Sequence, residues 1–194
     1  LIEDVIVGCA FPEGIQGMNF ARTIALRAGL PYSVAGQTVN RYCSSGLQTI
    51  AIAAKAIMAG QSEVLVAGGV EFMSSVPMGG NEVTNNPTLQ AEDSGVSYPM
   101  GLTAENVATK YNVTREDQDE FGVQSHQRAH AAQTEGRFDD EIIPVTTHKV
   151  EYTKNGPQVK EVKFDKDEGI RPESTTETLG KLRTIFKADG SVTA

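Results

Sequence analysis

Tryptophan is absent from these 194 residues, and cysteine (two) and histidine (three) are scarce. Two cysteines, Cys9 and Cys43, permit one disulfide at most. The opening "LIEDVIVG" carries no basic n-region, so the expected state is two free thiols in a reducing compartment. The chain also lacks an initiator Met, and the expectation is that it is the inside of a longer protein. No apolar run approaches the ~20 residues that a membrane-spanning helix requires. Basic residues are in the minority: 17 Lys and Arg against 25 Asp and Glu give a net charge of −8. With no basic stripe among them, nucleic-acid binding is excluded as an expectation. There is no internal repeat.

What is present is unevenly distributed. Residues 1–97 hold 4 basic and 8 acidic side chains, whereas residues 98–194 hold 13 and 17. The first half reads as buried core and the second as a solvated excursion. In the first half, Val5–Cys9 is a short apolar run and predicts a buried strand. Gly17–Gly29 carries Phe20, Ile24, Ala25 and Ala28 at helical spacing and ends on Gly29 with Pro31 beyond it. Val34–Tyr42 predicts a second strand, Ser44–Ala59 a second helix stopped by Gly60, and Glu63–Ala67 a third strand. Strand and helix alternating at this spacing give an α/β fold with a parallel sheet and right-handed crossovers. Three strands make a thin sheet, so further strands are expected outside this chain.

From Ser74 to Met100 the chain is rich in Gly, Asn, Ser and Pro and has no periodicity. A loop this long is usually functional. Helices are predicted over Thr103–Tyr111 and Thr114–Glu135, the second starting on Glu116 and Asp117, as the helix dipole favours. Ile142–Tyr152 and Gln158–Phe164 alternate around "KNG" and predict a hairpin. A last short helix is predicted over Glu177–Phe186.

Cys43 is placed where a strand ends and a helix begins. Unpaired backbone N–H groups and the positive end of the helix dipole gather there, and both favour thiolate over thiol. Ser44, Ser45 and Gly46 leave room beside the sulfur. The following helix is apolar almost all round (Leu47, Ile50, Ile52, Ala53, Ile57, Met58), so it is expected to be buried and to act as a rigid mount. An inert core cysteine fits the position as well, and position alone leaves both readings open. His126 and His130 stand four apart, but no third His or Cys accompanies them, and the helix face reads as solvated. No metal site is expected. Cys9 reads as a core residue and His148 as an exposed one. The "VAGG" and "GVEF" stretch lacks the spacing of a phosphate-binding loop and reads as close strand-to-helix packing.

Several ordered segments carry a resemblance. "NRYCSSGLQTIAIAAKAIMAG" followed by "EVLVAGGVEFMSSVP", then "PMGLTAENVATKYNVTREDQDEF", "GRFDDEIIPV" and "RPESTTETLGKLRTIFKADGSVTA" resemble the thiolases across essentially the whole chain. The "NRYCSSG" and "PMG" spellings are most similar to degradative 3-ketoacyl-CoA thiolases. The resemblance implies a partial thiolase fold. Residues 1–73 would form the nucleophile-bearing core, residues 74–188 an inserted loop domain, and residues 189–194 the start of the return to the core.

It also implies that Cys43 takes the acyl group of a 3-ketoacyl-CoA and passes it to CoA, as in fatty-acid β-oxidation. Condensation to acetoacetyl-CoA, a non-catalytic CoA- or lipid-binding role and a purely structural dimerisation module are the alternatives. By position, Met100, Arg171, Thr178, Phe186 and Ala194 match residues that contact CoA: Arg171 at the adenine, Met100 near the pantetheine and the catalytic cysteine, Thr178 near the CoA, and Phe186 and Ala194 along the pantetheine channel. Thr178 stands where the family often has Ser. CoA is a substrate here, and neither a cofactor nor a metal is implied. Partners implied are acyl-CoA, CoA, a second copy or a tetramer, and a β-oxidation partner subunit. The location implied is the bacterial cytoplasm, or peroxisomes or mitochondria in a eukaryote. The family's activating His, its water-positioning Asn and its second Cys match nothing here, since no Cys follows Cys43 and no His follows His148. The chain alone is therefore expected to be inactive.

Overall fold

The computed structural model describes residues 1–194. They divide into two compact units, Leu1–Asn86 and Pro87–Ala194.

In the first unit, β1 (Asp4–Gly8) is the middle strand of a three-stranded parallel sheet. It pairs in register with β2 (Ala35–Val39) on one side and β3 (Leu65–Gly69) on the other. Because strand side chains alternate, Val5 and Val7 turn to one face, where they pack with Ala21, Ala25 and Val34. That face is covered by α1 (Phe20–Arg27). Ile6 and Gly8 turn to the other face, beneath α2 (Ser45–Met58). The first crossover steps outward to β2 and the second steps back across β1 to β3. Connections of one hand then place the two helices on opposite faces.

Several expectations for this unit need correction, three of them in element bounds. The first helix begins at Phe20, not Gly17, because the Asn19 side chain accepts from the Arg22 N–H and sets the start. The second strand ends at Val39, because Tyr42 takes φ +45, which no strand accommodates. The third strand runs Leu65–Gly69, two residues later than Glu63–Ala67.

The largest correction concerns α2. It is not buried all round: its buried residues are Ser45, Thr49 and Ala53, a narrow stripe at i, i+4 and i+8. Leu47, Ile50, Ile57 and Met58 are exposed. The side chains that meet the sheet are small because the sheet offers glycines. A Cβ on Gly8 would lie 2.5 Å from the Ser45 carbonyl carbon, and one on Gly69 3.3 Å from the Gly46 Cα.

In the second unit, the stretch expected to be loop contains α3 (Pro87–Glu92) and a 3-10 turn over Ser94–Ser97. The next helices are α4 (Met100–Tyr111) and α5 (Arg115–Thr134). The α5 start is a capping box between Thr114 and Asp117. Accepting from the Thr114 N–H and hydroxyl holds the Asp117 carboxyl below its ordinary range. The hairpin is β4 (Val145–Thr153) and β5 (Gly156–Phe164), joined at Lys154–Asn155, with Gly156 at φ +101.

The last helix, α6, covers Thr176–Gly180 and not Glu177–Phe186. Arg115, paired with Asp119, donates to the carbonyls of Leu179 and Leu182. The Leu179 carbonyl also accepts the Leu182 N–H (2.9 Å), a tighter closure than an α-turn, and with Arg115 on the same carbonyl the helix ends there. Buried Glu105 of α4 accepts from the N–H groups of Ser191 and Val192. These bonds hold its carboxyl below the ordinary range.

Candidate active site

The joint between β2 and α2 is a short, over-determined turn. Asn40 donates to the Ala10 carbonyl (2.9 Å) and accepts from the Tyr42 N–H (2.9 Å). Buried Ser45 accepts from the Arg41 N–H (2.8 Å) and donates to the Tyr42 carbonyl (2.6 Å). The Ser44 and Ser45 N–H groups donate back to the carbonyls of Arg41 and Tyr42. Together these bonds hold Tyr42 in the left-handed region. That conformation is costly for a bulky residue, by about 1–3 kcal/mol, and persists only where the surroundings impose it. The Tyr42 ring packs on Phe11 with centroids 6.3 Å apart.

Cys43 follows Tyr42 directly and is exposed. It stands ahead of the first turn of a 14-residue helix, whose leading N–H groups have no carbonyl within the helix to accept them. A Cβ on Gly46 would meet nothing within 4 Å, so the space in front of the helix start is open. Thr49, one turn further on, lies 2.7 Å from the Gly46 carbonyl and 2.9 Å from that of Gly68 in β3, and anchors the helix to the sheet. A thiol so placed can add to a carbonyl approaching from solvent, and the backbone donors beside it can face the oxygen that becomes charged.

Cys9 has the opposite surroundings. It directly follows β1, is fully buried, and its Sγ lies 3.7 Å from Glu71 Oε1. Burial first, and the neighbouring carboxylate second, push its thiol above the usual range. An open groove in this unit, lined by Pro12, Glu13, Gly14, Met18, Asn81 and Glu82, does not include Cys43.

The five residues matched to CoA contacts all lie in the second unit. Met100 opens α4 and is exposed. Phe186 is half-buried against the next residue, Gly101, where a Cβ would fall 2.1 Å from the ring, so these two candidates are brought together. Arg171 has an exposed side chain, and its N–H donates to His126 Nδ1 (3.2 Å). Thr178 is committed to the α6 cap, its hydroxyl accepting from the Thr175 N–H and donating to the Thr175 carbonyl. Ala194 is exposed, two residues past the Glu105 clamp.

Sequence reasoning missed Asn40 and Ser45 as parts of the turn that bears Cys43. Asn two residues before an unusual φ is a recognisable Asx-turn signal. A serine two residues past the cysteine is legible only as a small residue.

The comparisons with known proteins agree with this geometry. The family model described as the N-terminal domain of thiolase matches residues 1–194. The 3-ketoacyl-CoA thiolase of Bacillus subtilis (strain 168) is 51% identical over all of this chain and 50% of its own length. The peroxisomal 3-ketoacyl-CoA thiolase 2 of Arabidopsis thaliana is 43% identical over all of this chain and 42% of its own. Among solved structures, the Bacillus anthracis acetyl-CoA acetyltransferase superposes with a TM-score of 0.80 at 41% identity. That superposition covers 99% of this chain and 49% of the other. The chain thus spans about half the length of these relatives. With an α/β core, an exposed cysteine at the start of α2 and a match along every residue, it belongs to the thiolase family, as a thiolase N-terminal domain.

Proposed function

We propose that these residues are the nucleophile-bearing part of a 3-ketoacyl-CoA thiolase and that Cys43 carries the acyl group. The observation that supports this most is the exposed Cys43 on a turn fixed at Asn40, Tyr42 and Ser45. Relatives named 3-ketoacyl-CoA thiolase match the whole chain.

In the proposed reaction, the Cys43 thiolate bonds to the keto carbon of a 3-ketoacyl-CoA. The carbonyl π pair moves to oxygen, where the Cys43 N–H donates to it. As the carbonyl re-forms, the bond between the keto carbon and the α-carbon breaks. Its electron pair leaves on the α-carbon as the enolate of acetyl-CoA, which takes up a proton. The shortened acyl group stays on sulfur as a thioester. Free CoA then loses its thiol proton, adds to that thioester and expels the Cys43 thiolate. The resemblance assigns the acid and base for these transfers to a His and a second Cys, which match no residue among 1–194.

Arg171 is proposed to stack on the adenine, with Met100, Thr178, Phe186 and Ala194 along the pantetheine. Thr178 can serve only by giving up one of the three bonds its hydroxyl makes to Thr175 in the cap. A second copy of the chain, or a tetramer, and a β-oxidation partner subunit belong to the same reading. So does a cytoplasmic or peroxisomal location, in keeping with bacterial and peroxisomal relatives. No helix of the chain is long and apolar enough to cross a membrane.

The test is single-turnover mass spectrometry on the complete polypeptide bearing these residues. Incubation with a 3-ketoacyl-CoA in the absence of free CoA is expected to add one acyl group at Cys43 and release one acetyl-CoA. The Cys43→Ala variant is expected to do neither. An acyl adduct elsewhere, or acetyl-CoA release by the variant, refutes the assignment. The 194-residue chain by itself is expected to show no more than trace thiolysis.

A further inference from the structure

Glu71 lies just beyond β3, 28 positions from the cysteine, and the reaction gives it no part. Its carboxylate accepts from the Ala10 N–H (2.7 Å), the Phe11 N–H (3.3 Å) and Gln16 Nε2 (2.7 Å), with the Cys9 thiol at 3.7 Å. Four donors converge on one carboxylate. Gln16 is itself buried, and its other contacts are the Phe11 carbonyl and the Phe72 N–H (both 2.8 Å). The segment leaving β1, Cys9–Phe11, is therefore pinned to the segment leaving β3.

What that segment touches next is the turn that bears the nucleophile. The Ala10 carbonyl accepts from Asn40, Asn40 accepts from the Tyr42 N–H, and Phe11 packs on the Tyr42 ring. Tyr42, at φ +45, is the residue whose conformation decides where Cys43 points. An unbroken run of polar contacts thus leads from the Glu71 carboxylate, through Ala10 and Asn40, to the residue next to the sulfur. Charge-assisted bonds of this kind are the stronger class.

We propose that Glu71 is a positioning residue for Cys43. By fixing the Ala10–Phe11 segment, it holds Asn40 and Tyr42 in the one arrangement that keeps the sulfur ahead of the α2 amides. This rests on the reading of Cys43 as the nucleophile. Glu71→Gln is the informative change. It preserves shape but turns an NH2 toward a cluster made almost entirely of donors.

The experiment is the second-order rate of iodoacetamide alkylation at Cys43, located by peptide mass spectrometry, well below the melting temperature of each protein. Wild-type Cys43 is expected to react at least 10-fold faster than N-acetylcysteine. Glu71→Gln is expected to lower the rate at least 5-fold while far-UV circular dichroism stays native. Asn40→Ala, which cuts the same path at an exposed residue, is expected to lower it similarly. The double variant is expected to be no slower than the slower single one.

An unchanged or faster rate in folded Glu71→Gln, with or without a lower melting temperature, overturns the proposal. So do additive effects in the double variant. If Glu71→Gln does not fold, Asn40→Ala decides alone, and a wild-type rate there overturns the proposal. A wild-type Cys43 no faster than N-acetylcysteine overturns instead the reading of Cys43 as the nucleophile, and the positioning role falls with it.

Discussion

The two cysteines lie on neighbouring segments of one small sheet and have opposite surroundings. Cys9 directly follows β1 inside the core, beside a carboxylate that opposes its ionisation. Cys43 lies at the surface, two residues ahead of α2. The residue type is the same, so the difference is one of place. The residue directly after a buried strand inherits the burial of that strand. A residue set before a helix inherits the unsatisfied donors of the helix start. Exposure here follows from which end of which element the sulfur stands beside.

The sharpest way to break the comparison is to label both thiols in the native protein. Cys43 is expected to alkylate at least about 100-fold faster than Cys9, which must await a local opening. Peptide mapping after a short pulse of iodoacetamide checks this, and comparable labelling of the two in folded protein would remove the contrast.

The next test acts on the mount. Gly8→Val drives a side chain into the Ser45 backbone and is expected to destabilise by about 1–3 kcal/mol, as overpacking does. It should also slow Cys43 labelling. Gly68→Ala, with nothing within 4 Å of the new Cβ, is the tolerated control. Urea denaturation midpoints compare the two.

Ser45→Ala removes a buried hydroxyl and strands the Arg41 N–H, while the Tyr42 carbonyl keeps the Ser45 N–H, at a cost of about 1–2 kcal/mol. It is expected to perturb Cys43 and leave Cys9 protected.

The smallest effect is electrostatic. A thiol whose folded pKa is raised binds its proton more tightly when native. Stability is then intact below the usual thiol range, near pH 8.5, and declines as pH rises beyond it. Cys9→Ala is expected to flatten that alkaline decline in melting temperature. An unaltered slope would mean that the burial of Cys9 is not felt in its ionisation.

Much of this was readable from the chain. The strand–helix alternation was legible because apolar runs of strand length alternate with helical spacing ended by Gly29 and Gly60. Cys43 was legible as a candidate because it falls at that boundary, and the resemblance then gave it a role. The left-handed Tyr42 was not, since nothing about a tyrosine announces φ +45; the conformation is imposed by Asn40 and Ser45 from either side. The burial of α2 was misread for a related reason. Apolarity all round suggests enclosure, whereas the face that meets the sheet is Ser45, Thr49 and Ala53, chosen for size. The over-long last helix failed because the Leu179 carbonyl closes on the Leu182 N–H and is shared with Arg115, 64 positions away in sequence.

The approach of Gly8 to Ser45 has a consequence for how this chain can vary. A contact between two backbones holds no information about the side chains around it. Valines and isoleucines of the sheet can exchange, and the outer face of α2 can drift, without moving the sulfur. Positions 8 and 69 hold a veto of their own, and they hold it by being empty. The helix start is gauged by the closest distance two main chains allow. A lineage could thus rework the core for temperature or for new partners and keep Cys43 where it is.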